Sequence, residues 1–260
     1  MIHGATRFFG LMTPALALGI WAGSAAAQTP SAPGVRYVVV LDAAHGGGDS
    51  GGTLTGSSGQ AEMEKDYTLA FSVRLRSLLA ARGIGVVTTR ESDAGLDAMQ
   101  RAQTANRAHA QACLTLHASM SGSGVHLFIS SLQPAAQPAR SDPDAAYLPL
   151  RLVPWRTAQA TVLARSVALA GTLNSALLHA GLPVTLGRTE LTTIDSMTCP
   201  AVAVEIAPEA ARSPDAGAGH GAEAIDDPGY EARVAGALAA GLLEWGSTAP
   251  PDTAPEGAQP

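Results

Sequence analysis

The chain has 260 residues, 46% of them hydrophobic and 15% charged, which suits one well-filled domain and calls for no second core. A formal net charge of −6 argues against nonspecific attraction to nucleic acid or to anionic membrane surfaces.

Residues 1–27 read as a secretory signal, with Arg7 in a short basic start, an apolar run from Phe8 to Trp21, and Ala25-Ala26-Ala27 before Gln28. Pro14 interrupts that run, which falls short of the about 20 continuous apolar residues of a membrane span. No cysteine follows the cleavage point, so lipid attachment is not indicated. An exported protein with no stable membrane anchor after cleavage is expected. A linker, 28–34, then leads into a domain over 35–246.

The β-branched run from Tyr37 to Leu41 predicts a buried strand that delivers His45 at its exit. Gly46 to Gly59 is rich in glycine, serine and threonine and reads as a loop ending near Glu64. From about Lys65 a helix follows: Tyr67, Phe71, Leu75, Leu78 and Leu79 share one face, and Gly83 after Arg82 is its stop. Ile84 to Thr89 is the next strand, and Asp93 is read as the cap of a second helix running to about His109. Cys113 to Leu116 forms a strand delivering His117, and Val125 to Ile129 another after a Gly/Ser turn. The proline-rich segment from Gln133 to Pro154 has no sustained period and reads as a surface excursion. Val162, Ser166, Leu169, Leu173 and Leu177 mark a long helix ending at Gly181. Ala201 to Ile206 is a strand bearing Glu205, and a last helix holds Val234, Leu238 and Leu242. The Ala/Pro/Gly-rich stretch 247–260 reads as a disordered tail.

Strands alternating with helices predict a single α/β domain, with a twisted, mostly parallel or mixed central sheet flanked by helices and a site at the strand ends. Two cysteines, Cys113 and Cys199, either pair in an oxidising compartment or stand as buried thiols on neighbouring strands. Spacing does not decide between these.

Four residues in four separate contexts carry the chemistry: His45, Glu64, His117 and Glu205. Two histidines and a carboxylate suit a catalytic Zn²⁺, which takes three protein ligands and keeps a position for water. A further carboxylate off the metal can act as general base and then general acid. Glu205 is the candidate, because a carboxylate inside Val-Glu-Ile on a buried strand is costly without a function or a partner. Glu62 is a rival to Glu64, which at a helix start also suits the helix dipole. Glu209, past Pro208, reads as exposed. His109, His126, His179 and His220 read as surface or packing residues, with His126 the one expected to come nearest the site.

These residues resemble a known family, the zinc-dependent N-acetylmuramoyl-L-alanine amidases of bacterial cell-wall metabolism. Leu41 to Asp49 is similar to the family's opening metal motif, with its aspartate, turn, ligand histidine, two glycines and second aspartate. Glu64-Lys65-Asp66 resembles its ligand glutamate at the first helix. Thr89-Arg90 with Asp93, and Arg101 with Ala105-Asn106, match the framework between. Leu116-His117-Ala118-Ser119 resembles the strand with the second ligand histidine, and Pro200 to Glu205 the strand ending in the catalytic glutamate. The resemblance implies zinc held by His45, Glu64 and His117, with Glu205 catalytic. The implied reaction is hydrolysis of the amide between N-acetylmuramic acid and L-alanine, with peptidoglycan as partner and the periplasm, the cell wall or the exterior as compartment. Two departures stand out: Ala43-Ala44 where the family has Pro-Gly, and Ser119 where it has Asn. Alanine at 44 would cost stability if the turn needs φ > 0. Other readings are a zinc carboxypeptidase or peptidase on wall peptides, and an inactive wall-binding relative.

Overall fold

The β-branched run near the start of the domain lies in the interior of a mixed sheet. A computed structural model describes Met1 and residues 37–134, 154–211 and 222–248. The expected signal, linker, most of the 133–154 excursion, His220 and residues 249–260 lie outside these. The elements in chain order are β1 (Val38–Ala43), a short hairpin of β2 (Thr53–Thr55) and β3 (Ala61–Met63), α1 (Glu64–Ala80), β4 (Gly85–Thr88), α2 (Ala98–Arg107), β5 (Ala112–Ala118) and β6 (Val125–Ser130). After a 3₁₀ segment (Trp155–Thr161) come α3 (Leu163–His179), β7 (Val184–Thr189), the single-turn α4 (Thr192–Asp195), β8 (Ala201–Ile206) and α5 (Pro228–Thr248). The main sheet has six strands in the order β4-β1-β5-β8-β6-β7. All neighbours are parallel except β6 and β8.

Alternation along each strand sorts side chains onto two faces. Leu114, Leu116, Val202, Val204, Val125 and Leu127 enter the larger core, which also holds the apolar stripes of α1, α3 and α5. Val40, Cys113 and Ala201 point the other way, into a smaller core with Ala102 and Ala105 of α2 and Ile194 of α4. By the same alternation His117, Glu205 and His126 lie on this second face. Among the described residues no helix is long and apolar enough to cross a membrane.

Several expectations need correction. Asp97, not Asp93, caps α2: its carboxylate accepts from the Gln100 N–H and the Gln100 side chain accepts from the Asp97 N–H. The glycine-rich segment read as loop contains β2, which finds its partner in β3 immediately before α1. β7 and α4 were not foreseen. Helix α5 continues to Thr248 and so takes in the first two residues of the expected tail. Glu209 is 1% exposed rather than exposed, because Arg233 of α5 lies 3.1 Å from its carboxylate.

Cys113 and Cys199 form a disulfide with Cα atoms 6.1 Å apart, joining β5 to the segment entering β8 across 86 residues of sequence. Closing so long a loop restricts the unfolded chain, an effect of about 2–4 kcal/mol. Reduction, or the double substitution Cys113→Ala with Cys199→Ala, is expected to lower urea-unfolding stability by about that amount. An unchanged midpoint would show that the bridge contributes nothing.

Candidate active site

β1 ends in a turn whose backbone is left-handed over three successive residues: φ is 61° at His45, 126° at Gly46 and 60° at Gly47. A Cβ on Gly46 would sit 2.3 Å from the Ala94 carbonyl oxygen, and one on Gly47 2.7 Å from the Gly95 nitrogen. Only glycine fits at those two positions. Ala44 lies outside the left-handed region, so the exchange of glycine for alanine there carries no backbone penalty. His45 itself holds the unfavourable conformation, and two buried arginines hold the turn. Arg90 donates to the carbonyls of Ala43 (2.9 Å), Ala44 (2.9 Å) and Lys65 (2.7 Å). Arg101 donates to the Ala43 carbonyl (2.7 Å), to that of His45, and to the buried Asp42 carboxylate (2.8 Å). Asp93 accepts from the Gly47 N–H and pairs with Lys65 at 2.7 Å. That pairing explains why Asp93 caps no helix.

Glu64 opens α1 and lies between the two histidines. Its Oε2 is 3.1 Å from His45 Nε2 and its Oε1 is 3.0 Å from His117 Nδ1. The same oxygens accept from the N–H groups of Gly52 (2.9 Å) and Ala118 (3.1 Å). Ligand atoms of His45, Glu64 and His117 all lie within 4.8 Å of one another, close enough to surround one cation. A Cβ on Gly51 would approach His45 to 2.6 Å and Glu64 to 2.7 Å, so this glycine, with φ 65°, is what lets the loop close over the cluster. Two imidazole nitrogens and a carboxylate oxygen are the donor types a catalytic zinc takes. The residues present therefore fit the ion.

Asp49 supports the cluster from outside. Its Oδ2 is 2.8 Å from His45 Nδ1, and because an ionised carboxylate only accepts, Nδ1 carries the proton and Nε2 is left to face the cluster. Glu62 does not compete with Glu64: it lies on β3, where burial and the neighbouring Asp66 and Asp226 push its carboxyl up.

Burial pushes the Glu64 carboxyl up, but hydrogen bonds from His117, His45, Gly52 and Ala118 outweigh it and hold it far below its ordinary value of 4.5. His45 is raised above its ordinary 6.5, first by its bond to Glu64, against burial, and then by Asp49. In metal-free protein these shifts have opposite pH signatures. The Glu64 contribution is present above 4.5 and is lost as pH falls through its depressed value. The His45 contribution is present below 6.5 and is lost as pH rises through its raised value. Thermal melts of chelator-treated protein are expected to decline on both sides of that window. A profile flat from acid to alkaline pH would count against this coupling.

Glu205 lies outside the cluster but next to it. It is the Cα partner of His117 on β5 and of His126 on β6, so the three stand in one row across adjacent strands. Its Oε1 is 2.8 Å from His126 Nδ1. His126, expected to come nearest the site, thus reaches it directly. His109 and His179 are elsewhere, and His179 bonds the Ser175 carbonyl within α3. Two hollows meet at His117 and Leu191. One, of about 260 Å³, takes in His45, Asp49 and Arg101. The other, of about 220 Å³, takes in Glu205, Phe128 and Thr189.

An α/β sheet with two imidazoles and a carboxylate converging at its strand ends, and a second carboxylate in the adjoining groove, defines the class: a hydrolase domain with a possible metal site. The family model for N-acetylmuramoyl-L-alanine amidases matches residues 39–244, and the chain belongs to that family. Its fold is that of solved amidases. The catalytic domain of CwlV, an amidase from Paenibacillus polymyxa var. colistinus, is 25% identical, with a TM-score of 0.55 over 80% of this chain and 97% of that one. An amidase from Clostridium difficile 630 gives a TM-score of 0.56 at 18% identity, over 84% and 100% of the two chains. In sequence, 81 residues are 37% identical to the endolysin of Bacillus phage SPP1, covering 31% of this chain and 28% of the endolysin. The chain thus matches little more than a quarter of that relative's length. Membership makes this domain a hydrolase of the peptidoglycan amide, in a family that is generally zinc-dependent.

Proposed function

We propose that the protein is an exported zinc amidase that cuts the bond between N-acetylmuramic acid and the L-alanine of the peptide stem, with His45, Glu64 and His117 as metal ligands and Glu205 as general base and acid. The convergence of the three ligand types within 4.8 Å carries this reading. When bound, Zn²⁺ supplies Lewis acidity, lowering the pKa of a water to about 7 and polarising the scissile carbonyl.

The side chains do the rest. Glu205 faces the groove beside His117 and accepts the proton that the attacking water gives up. As the carbon–nitrogen bond breaks, Glu205 returns that proton to the alanine nitrogen, without which an amine leaves poorly. Asp49 keeps His45 in the tautomer that presents Nε2. Arg90 and Arg101 fix the turn that carries it.

Residues 1–27 are proposed as a cleaved signal directing the chain to the periplasm, with 28–34 as linker to the catalytic domain. The disulfide supports an oxidising compartment. Mass spectrometry of muropeptides incubated with the protein, with and without chelator, tests the reaction. Zinc-dependent release of intact stems with a free N-terminal alanine is expected. Loss of a terminal amino acid alone would mean a carboxypeptidase, and unchanged substrate with no bound metal a wall-binding relative.

A further inference from the structure

The imidazole of His126 is built into the groove rather than left at its surface. Its side chain is 13% exposed, and Glu205, at 2.8 Å, is its only charged partner among the described residues. Phe128, two residues on along the same face of β6, meets the ring edge to face at 6.2 Å and 75°. Phe128 in turn occupies space left open on β7, where a Cβ on Gly187 would lie 2.8 Å from its ring. On the opposite side a Cβ on Gly122 would lie 2.3 Å from the imidazole Cε1 and 2.6 Å from Nε2. Gly122, at φ 84°, is thus the residue that lets the turn before β6 fold against the ring. Two glycines and an aromatic ring give this histidine its place. A residue that merely filled the second core would need no such surround and no carboxylate.

We propose that His126 is a positioning residue for Glu205: its Nδ1–H holds Oε1, fixes the plane of the carboxylate, and leaves Oε2 as the oxygen that carries the proton. The proposal rests on the reading of Glu205 as general base. An ionised carboxylate only accepts, so the proton of the 2.8 Å contact sits on Nδ1. Oε2 has no hydrogen-bond partner among the described residues, and the Glu205 side chain is 30% exposed, so that oxygen is open to the groove. In the reaction, water loses a proton to Oε2 as its oxygen bonds to the scissile carbon. The carboxylic acid so formed still accepts from His126 through Oε1. When the carbon–nitrogen bond breaks, the proton leaves Oε2 for the amine nitrogen and the carboxylate is restored. His126 keeps its proton on Nδ1 throughout, so its part is orientation. A carboxylate free to rotate about its last torsion would spend less time with an oxygen toward the water, and the loss falls on kcat rather than on substrate binding.

The test compares His126→Ala, His126→Asn and Glu205→Gln in the purified full chain loaded with zinc, with muropeptide turnover followed by mass spectrometry. An asparagine amide nitrogen can stand where Nδ1 stands and donate the same bond. Expected for His126→Ala is a fall in kcat of roughly 10- to 100-fold, with KM within about two-fold of the parent. His126→Asn is expected to recover most of that loss. Zinc content of both variants should match the parent, and both should still melt in one cooperative transition, at a somewhat lower temperature for the lost packing, which separates positioning from loss of the fold or of the metal site. Unchanged kcat in His126→Ala, or equal losses in the alanine and asparagine variants, would overturn the proposal while leaving Glu205 in its role. Full turnover by Glu205→Gln would instead remove the reading on which the proposal stands.

Discussion

Glutamine in place of Glu205 is expected to lower muropeptide turnover by roughly 10²- to 10⁴-fold, the range over which general acid–base groups contribute. The change is nearly isosteric, and the amide oxygen can still accept from His126, so packing in the β5-β8-β6 row survives. Glu205 is not one of the three converging ligand residues, so zinc content should be unchanged. Elemental analysis beside a rate measurement gives both numbers from one preparation. Normal turnover in this variant would sink the assignment of Glu205. Loss of zinc together with rate would show that Glu205 serves the metal instead.

Replacing Glu64 with alanine should have a different signature: metal and activity disappear together. Glu64 contacts both histidines, and its oxygens also satisfy the N–H groups of Gly52 and Ala118. Truncation removes a ligand and strands two backbone donors, each at a cost of about 1–3 kcal/mol where water cannot replace the bond. Asp49→Ala provides the internal comparison. It removes only the outer partner of His45, and losses of roughly 10- to 100-fold in affinity or activity are usual for that change. Zinc retention by Glu64→Ala, or a smaller effect there than in Asp49→Ala, would contradict the proposed ligand set.

Much of this arrangement was legible in the sequence because local pattern and site chemistry coincide. The run before His45, the stripe from Tyr67 to Leu79 and the apolar strand holding Glu205 each have one period and one clear boundary, and they became β1, α1 and β8. What was missed lacked such coincidence. β7 is an edge strand with Leu186 exposed and Gly187 in its middle, so no apolar alternation marks it. The box Asp97-x-x-Gln100 is a usable signal for the start of α2, and Asp93, four residues earlier, competes with it in the sequence. Glu209 is buried against Arg233, a residue 24 positions away, and no local rule reports such a pairing. For His126 the alternating sequence around it gave a strand but not a register. Only the pairing with β8 puts it opposite Glu205.

The orientation of β6 bears on where determinants of activity should be sought. In a sheet of purely parallel strands, every residue at the working edge comes from the end of its strand, and a scan of strand exits and the loops after them finds them all. Here two strands, β6 and β7, run against the other four, so the entrance of β6 meets the exit of β8, and the second residue of β6 stands where an exit residue would otherwise stand. The Gly/Ser turn between β5 and β6 joins the exit of one strand to the entrance of the other at the same edge, so both its ends border the candidate site, and it belongs among the first segments to vary when substrate preference is to be changed.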